Sequence, residues 1–356
     1  MFSFGIFNKF NNNDNDQLLN AIEYHDVEKV RTIIEKANKT DKLLELNKKD
    51  DKGRDPFILA CMKNVETAKL LLGYAESKNI ILDLNGKSNF GDYPLIWACI
   101  KNSTEMVDLL MEYANRHHIT LILNDKSELG DYPLFWACNK DNVEIAQKLM
   151  NYANNNQLLL SMNETSELGD NPLLWACRKN NIEMAKLLMR YADEHQLLLN
   201  LNEKNKDGFF TLLEATYNNS FEMVQLLLNY SDNNHIVLNL NEKNKDGIYP
   251  ILEAAYNKNI VISELLMDYA NKNNFVLNLN EKDNWGNYPL ALVIKDNNIE
   301  MAKLLFKYAQ KNNIVIKLNQ YDIKNINEIK KEIKDLFINY EKSIYKYYGD
   351  NQFSTL

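Results

Sequence analysis

The chain has 356 residues, 45% of them hydrophobic and 25% charged, and a formal net charge of −8. This balance describes a folded soluble protein and argues against nucleic acid or an anionic membrane as the ligand. Both demand a dominant basic surface, although a local basic lane stays open. No apolar run approaches the roughly 20 residues that span a bilayer, and the start MFSFGIF lacks the basic lead and cleavage pattern of a secretory signal. The reading is a cytoplasmic protein, with the nucleus as the alternative.

In chain order, residues 1–16 join an aromatic start to the tract NNNDND, which has nothing to bury and is expected to be a disordered tail. Residues 17–37 read as a helix pair. Glycines then mark a period: Gly53, Gly91, Gly130, Gly169, Gly208, Gly247 and Gly286, with every step from Gly91 onward 39 residues and the first one 38. The residue missing from the short step falls between Ala60 and Tyr74, in the turn joining that pair of helices. A small residue recurs in one phase as Ala21, Ala60, Ala98, Ala137, Ala176, Ala215 and Ala254, with Val293 closing a series of eight helix pairs.

One copy, Gly169 to Ala192, shows the physics. Asp170 and Asn171 are helix-capping types, and Pro172 at the first helical position has its φ already set. A second helix follows the break at Lys179-Asn180-Asn181. There Glu183, Lys186 and Arg190 form one polar strip, and apolar residues cover the rest of the girth. Such a helix needs neighbours on both sides, so copies must stack. The repeat domain is expected over residues 17–323. From Ile326 to Tyr347 apolar residues keep helical spacing with Lys and Glu opposite, so residues 324–348 read as a capping helix and 349–356 as a flexible tail.

The segment GDYPLIWACIKNSTEMVDLLMEYAN resembles the ankyrin repeat, with Gly91, Pro94, Leu95, Ala98, Glu105, Leu109 and Leu110 in matching places. Leu84-Asn85, repeated as Leu123-Asn124 and Leu240-Asn241, is similar to the family's Val-Asn. The resemblance implies a mainly α ankyrin-repeat solenoid of about eight helix pairs with short β-hairpin or strand-like connections. It also implies a non-catalytic protein-binding module whose ligand lies along the concave hairpin and first-helix face. There are departures. Tyr93 and Ile96 replace the family's Thr and His, so apolar packing is expected in place of the hydrogen bonds of that motif. Ala114 replaces the helix-stopping glycine, so the second helix should run on another turn. A β-like run follows it, as at residues 119–123, 197–201 and 275–279.

Cys61, Cys99, Cys138 and Cys177 share one position. Stacked helices lie roughly 8 to 10 Å apart, and a disulfide needs Cα atoms within about 7 Å, so small buried apolar roles are expected. No Cys-x-x-Cys or Cys-His pair offers a zinc site. His117, His118, His195 and His235 fall after the second helix, where the 39-residue period exceeds the roughly 33 residues of the usual ankyrin repeat, and read as surface or capping residues. Asn85-Gly86-Lys87-Ser88 imitates the end of a phosphate loop, but Ile81 stands where that loop needs glycine. The chain is read as no enzyme, with no cofactor and no metal.

The candidate site is a binding face. Trp97, Trp136 and Trp175 form a column that continues as Glu214 and Glu253; it reads as inter-repeat packing or as groove lining, since a column that tolerates Glu lies near water. Lys63, Lys101, Lys140 and Lys179 end the first helices, a position that in ankyrin repeats often faces the ligand. Ammonium groups at roughly 10 Å spacing suit an acidic extended peptide, unless Asp92, Asp131, Asp170, Glu128 and Glu167 neutralise them. Farther along, the lane turns aromatic at Tyr217 and Tyr256. Phe90, Leu129, Leu168, Phe209, Ile248 and Trp285 sit beside the turn glycines, where exposed apolar tips call for cover by a partner or by the next hairpin. The expected partner is a protein or peptide with an acidic segment, bound by a monomer. The alternative is a structural or assembly spacer that self-associates through its aromatic rows.

Overall fold

All six prolines of the chain open a helix, where a fixed φ and a missing N–H cost nothing. The computed structural model describes residues 14–40, 43–317 and 331–348, and the chain divides into two compact units, Met1–Glu167 and Leu168–Leu356. The first unit holds α1 (Asp14–Glu23), α2 (Val27–Lys39), α3 (Pro56–Lys63), α4 (Val65–Ser77), α5 (Pro94–Ile100), α6 (Thr104–Arg116), α7 (Pro133–Asn139) and α8 (Val143–Asn155). The second holds α9 (Pro172–Arg178), α10 (Ile182–Glu194), α11 (Thr211–Tyr217), α12 (Phe221–Asn233), α13 (Pro250–Tyr256), α14 (Ile260–Lys272), α15 (Pro289–Asp296), α16 (Ile299–Lys311) and α17 (Lys331–Tyr348).

Within each unit the short first helices stack in one layer and the longer second helices in another, and α17 packs on α16. This is a mainly α repeat solenoid. The core is repetitive: in one copy Leu95, Ile96, Ala98 and Cys99 of α5 and Met106, Val107, Leu110 and Tyr113 of α6 are all buried. Each large apolar side chain so buried contributes about 1.5–3 kcal/mol. The four cysteines are buried free thiols, pushed well above the ordinary thiol range by burial.

The caps explain where helices start and stop. Ser103, Asn142, Asn181, Ser220, Asn259 and Asn298 each accept a backbone N–H from the first turn of a second helix. The short 38-residue step is resolved at Asn64, whose extended backbone (φ −164°) serves as the end of α3 and the cap of α4 at once. Other repeats insert a left-handed residue there, such as Asn102 at φ 54° or Asn180 at φ 52°. The second helices do run past Ala114 and its equivalents. The left-handed stop lies on polar residues, His118, Gln157, Gln196 and His235 among them, while His117 and His195 form the C-caps and stack on Tyr113 and Tyr191.

The connections depart from expectation. Among the described residues they form no strand, because the backbone groups that a neighbouring strand would pair are taken by side chains of the preceding and following repeats. Asn85 donates through Nδ2 to the Thr120 carbonyl (2.8 Å) and accepts the Ile122 N–H (3.0 Å); Asn241 does the same to Val276 and Asn278 (2.9 and 2.8 Å). From the other side, a second-helix tyrosine reaches back. Tyr113 accepts the Leu82 N–H and donates to the Ile80 carbonyl, both at 3.2 Å. Tyr269 makes the corresponding bonds to Leu238 and Ile236 at 3.2 and 3.1 Å.

Nor does apolar packing replace the hydrogen bonds lost with the family's Thr. Tyr93 makes no cap bond, but its ring is buried and its hydroxyl donates to the Asp125 carbonyl of the next repeat (3.1 Å). Tyr132 and Tyr249 repeat the bond to Glu164 and Glu281 at 3.0 and 2.8 Å. A longer side chain has moved the hydrogen bond from the turn to the inter-repeat seam.

Helix α1 starts at Asp14, inside the expected 1–16 tail, held by Lys36 on Asp14 (2.8 Å) and by the Glu45 N–H on Asn15 (3.0 Å). The rest of that tail, the expected tail at 349–356 and residues 324–330 of the expected capping helix lie outside the described residues.

Candidate functional site

The hairpins and the first helices make one face of each unit, and the glycines set how close hairpins approach. Gly208 has φ +84°, and a Cβ there would stand 2.7 Å from Cα of Asn244 in the next hairpin, so both conformation and space demand glycine. Each tip hands one backbone bond to its predecessor, as Glu128 N–H does to the Phe90 carbonyl and Lys245 N–H to the Asp207 carbonyl. This close stacking does not cover the tip side chains. Phe90, Leu129, Leu168 and Trp285 are 53%, 61%, 63% and 65% exposed; Phe209 and Ile248 are half-buried.

In the first unit, Lys63 is half-buried and lies 3.7 Å from Glu23. Lys101 and Lys140 are exposed, and each lies over the tryptophan one turn earlier: Lys101 over Trp97 at 5.9 Å and Lys140 over Trp136 at 5.0 Å. In the second unit Lys179 lies over Trp175 at 5.5 Å. Among the described residues no carboxylate oxygen comes within ion-pairing distance of these three ammonium groups. The hairpin acids expected to neutralise them are engaged elsewhere or lie apart. Asp131 accepts the Trp136 indole N–H (2.9 Å), and Asp170 takes Arg178 (3.1 Å) and Asn205 (2.8 Å). Burial pushes the Asp92 and Asp131 carboxyls above the usual carboxylate range.

The tryptophan column is thus half-buried, one ring face toward the core and the other roofed by a cation. Where the column turns to glutamate, the second unit places Glu214 and Glu253, both buried. Arg178, which the sequence did not single out, bonds Glu214 at 2.7 Å and lies 4.7 Å over Trp175. Its spacing of three from Trp175 was the available signal. Tyr217 is 56% exposed and meets Phe209 edge-on at 6.0 Å. Tyr256 is half-buried, donates to Asp283 and accepts from Asn287 (2.7 Å). Among the described residues no group of three or more His, Cys, Asp or Glu side chains could hold a metal ion, and no helix is long and apolar enough to cross a membrane.

A family model for ankyrin repeats matches the chain in three copies, over residues 75–158, 119–195 and 156–237. No curated protein matches it. Among solved structures, the ankyrin repeat domain of Bcl-3, described as a unique member of the IkappaB protein family, is similar at 18% identity and a TM-score of 0.48. The match covers 70% of this chain and 97% of that one.

Proposed function

Since the chain belongs to the ankyrin-repeat proteins, whose repeats are protein–protein interaction modules, we propose that it is a non-catalytic scaffold in the cytoplasm or nucleus. It binds a partner protein or peptide along the hairpin and first-helix face of its units. The observation that carries this reading is the cations resting on tryptophan rings, Lys101 and Lys140 in the first unit and Lys179 in the second. Lys101, Lys140 and Lys179 have no carboxylate partner among the described residues, and the apolar tips of the hairpins stand exposed. An acidic segment of a partner gains those charges without first breaking an ion pair, and aromatic surface beneath supplies the anchors that dominate binding energy.

The test replaces Lys101, Lys140 and Lys179 together with Glu and measures capture of the native partner at low and high salt. The expected result is at least a tenfold loss of affinity in the variant, about 1.4 kcal/mol, and weakening of the wild type by salt. Capture unchanged by both would sink the lane. The exposed tips Leu129, Leu168 and Trp285 also suit the second reading, self-association through aromatic and apolar rows. Light scattering decides it: a strict monomer at high concentration removes that reading.

A further inference from the structure

In the second unit one repeat hands a guanidinium to the next. Arg178 at the end of α9 lies over Trp175 and bonds Glu214 on α11 at 2.7 Å and Asp170 at 3.1 Å. The buried Glu214 carboxylate is thereby compensated by a planar cation that the chain itself supplies.

Thirty-nine residues on, the acceptor persists and the donor does not. Glu253 on α13 occupies the place of Glu214 and is 6% exposed, while Arg178 is replaced by Tyr217 at the end of α11. Among the described residues the hydrogen bond on Glu253 comes from Asn257 Nδ2 at 3.2 Å, a group that also serves the Thr216 carbonyl at 3.0 Å. No cation among the described residues reaches it. Burial pushes its carboxyl up to about 7, the mark of a charge that would gain from a counter-ion. Tyr217, which takes the place of Arg178 one repeat on, is exposed and meets Phe209 edge-on, and Tyr256 follows Glu253 by three residues on the same helix. The column that bears Lys179 continues as Asn218, Asn257 and Asp296, the last paired with Lys258 at 3.3 Å, so the column loses its free positive charge along the unit.

We propose that Glu253, Tyr217 and Tyr256 form a subsite for an arginine side chain of the partner, whose guanidinium stacks on Tyr217 and pairs with Glu253 as Arg178 does with Glu214. This rests on the reading of that face as a protein-binding surface and gives it a polarity: acidic partner residues at the lysine end, arginine at the tyrosine end. Arginine fits better than lysine because a flat, weakly hydrated guanidinium can stack on a ring and still donate to a carboxylate. Pairing also removes the cost of the buried carboxylate standing alone.

The test selects short peptides from a displayed random library on the full chain and measures their Kd by fluorescence anisotropy. Selected peptides are expected to share an arginine. Replacing it by citrulline, of the same shape without charge, should weaken binding at least tenfold. Glu253→Gln should do the same. Tyr217→Arg should block the subsite by supplying the guanidinium from within, with circular dichroism showing that both variants are folded. Tight peptides that lose less than about twofold in both variants would overturn the arginine subsite and leave the binding face standing. A library that yields no binder at all would take down the binding face, and the subsite with it.

Discussion

Glu253 is a buried carboxyl that no cation among the described residues neutralises, and this makes it a pH-sensitive residue. Its pKa rises from an ordinary 4.5 to about 7 through burial, only partly opposed by Asn257. The folded state therefore holds the proton more tightly than the unfolded chain does. Its stabilising effect is complete below about 4.5 and is lost as pH rises through about 7. Urea titrations of wild type and Glu253→Gln between those values should diverge, with the wild type losing roughly 1–3 kcal/mol relative to the variant. Parallel curves would mean that Glu253 reaches water or a cation. The substitution of Trp by Glu in this column was legible in the sequence, but the nearness to water inferred from it was not met, since Glu214 and Glu253 are both buried. What was not legible is that Arg178 pairs with one glutamate and no cation among the described residues pairs with the other, because that pairing runs between repeats and depends on side-chain reach rather than spacing.

At the scale of the element, helix boundaries followed local chemistry closely: proline at the start, Ser or Asn caps, and a shortened turn at Asn64 where the count of residues is one less. The connections were misread as strand-like because alternating burial, as at Leu121 and Leu123, is common to a strand and to any extended segment laid on a core. Their hydrogen bonds go to Asn and Tyr side chains that recur with the repeat, a regularity visible in the sequence whose meaning needs coordinates. Helix α17 shows the limit most clearly. Tyr340 accepts the Ile316 N–H at 3.1 Å and donates to the Ile314 carbonyl, the same bonds Tyr308 makes to Leu277 and Phe275. It does so only 24 residues after its partner instead of 31, so no periodicity search finds it. The capping helix imitates a second helix without belonging to the repeat. Phe337 packs beside Phe306 at 6.1 Å and is 8% exposed. Phe337→Ala should cost about 3 kcal/mol, read as a lowered urea midpoint. No measurable change would show that α17 does not help to stabilise the unit.

For the whole molecule, repetition makes length negotiable but phase strict. Contacts join neighbours only, so removing one full period leaves every surviving interface with a compatible partner. Deleting residues 209–247, a span of 39, joins Gly208 to Ile248 and places Glu253 where Glu214 stood, opposite Arg178. The shortened chain should stay helical and unfold cooperatively by circular dichroism, whereas removing half a period from the same place should leave it largely unfolded. A half-period deletion that melts as sharply as the full one would contradict the phase rule.

The placement of the tryptophans has a practical result. Trp97, Trp136 and Trp175 each keep one ring face under a side-chain cation, while Trp285 stands open at a tip. All four tryptophans therefore report from the surface proposed for ligands and none from the second helices. Occupancy of that surface is readable in unlabelled protein as a change in emission, and a ligand lodged behind the second helices would leave the spectrum dark to its presence.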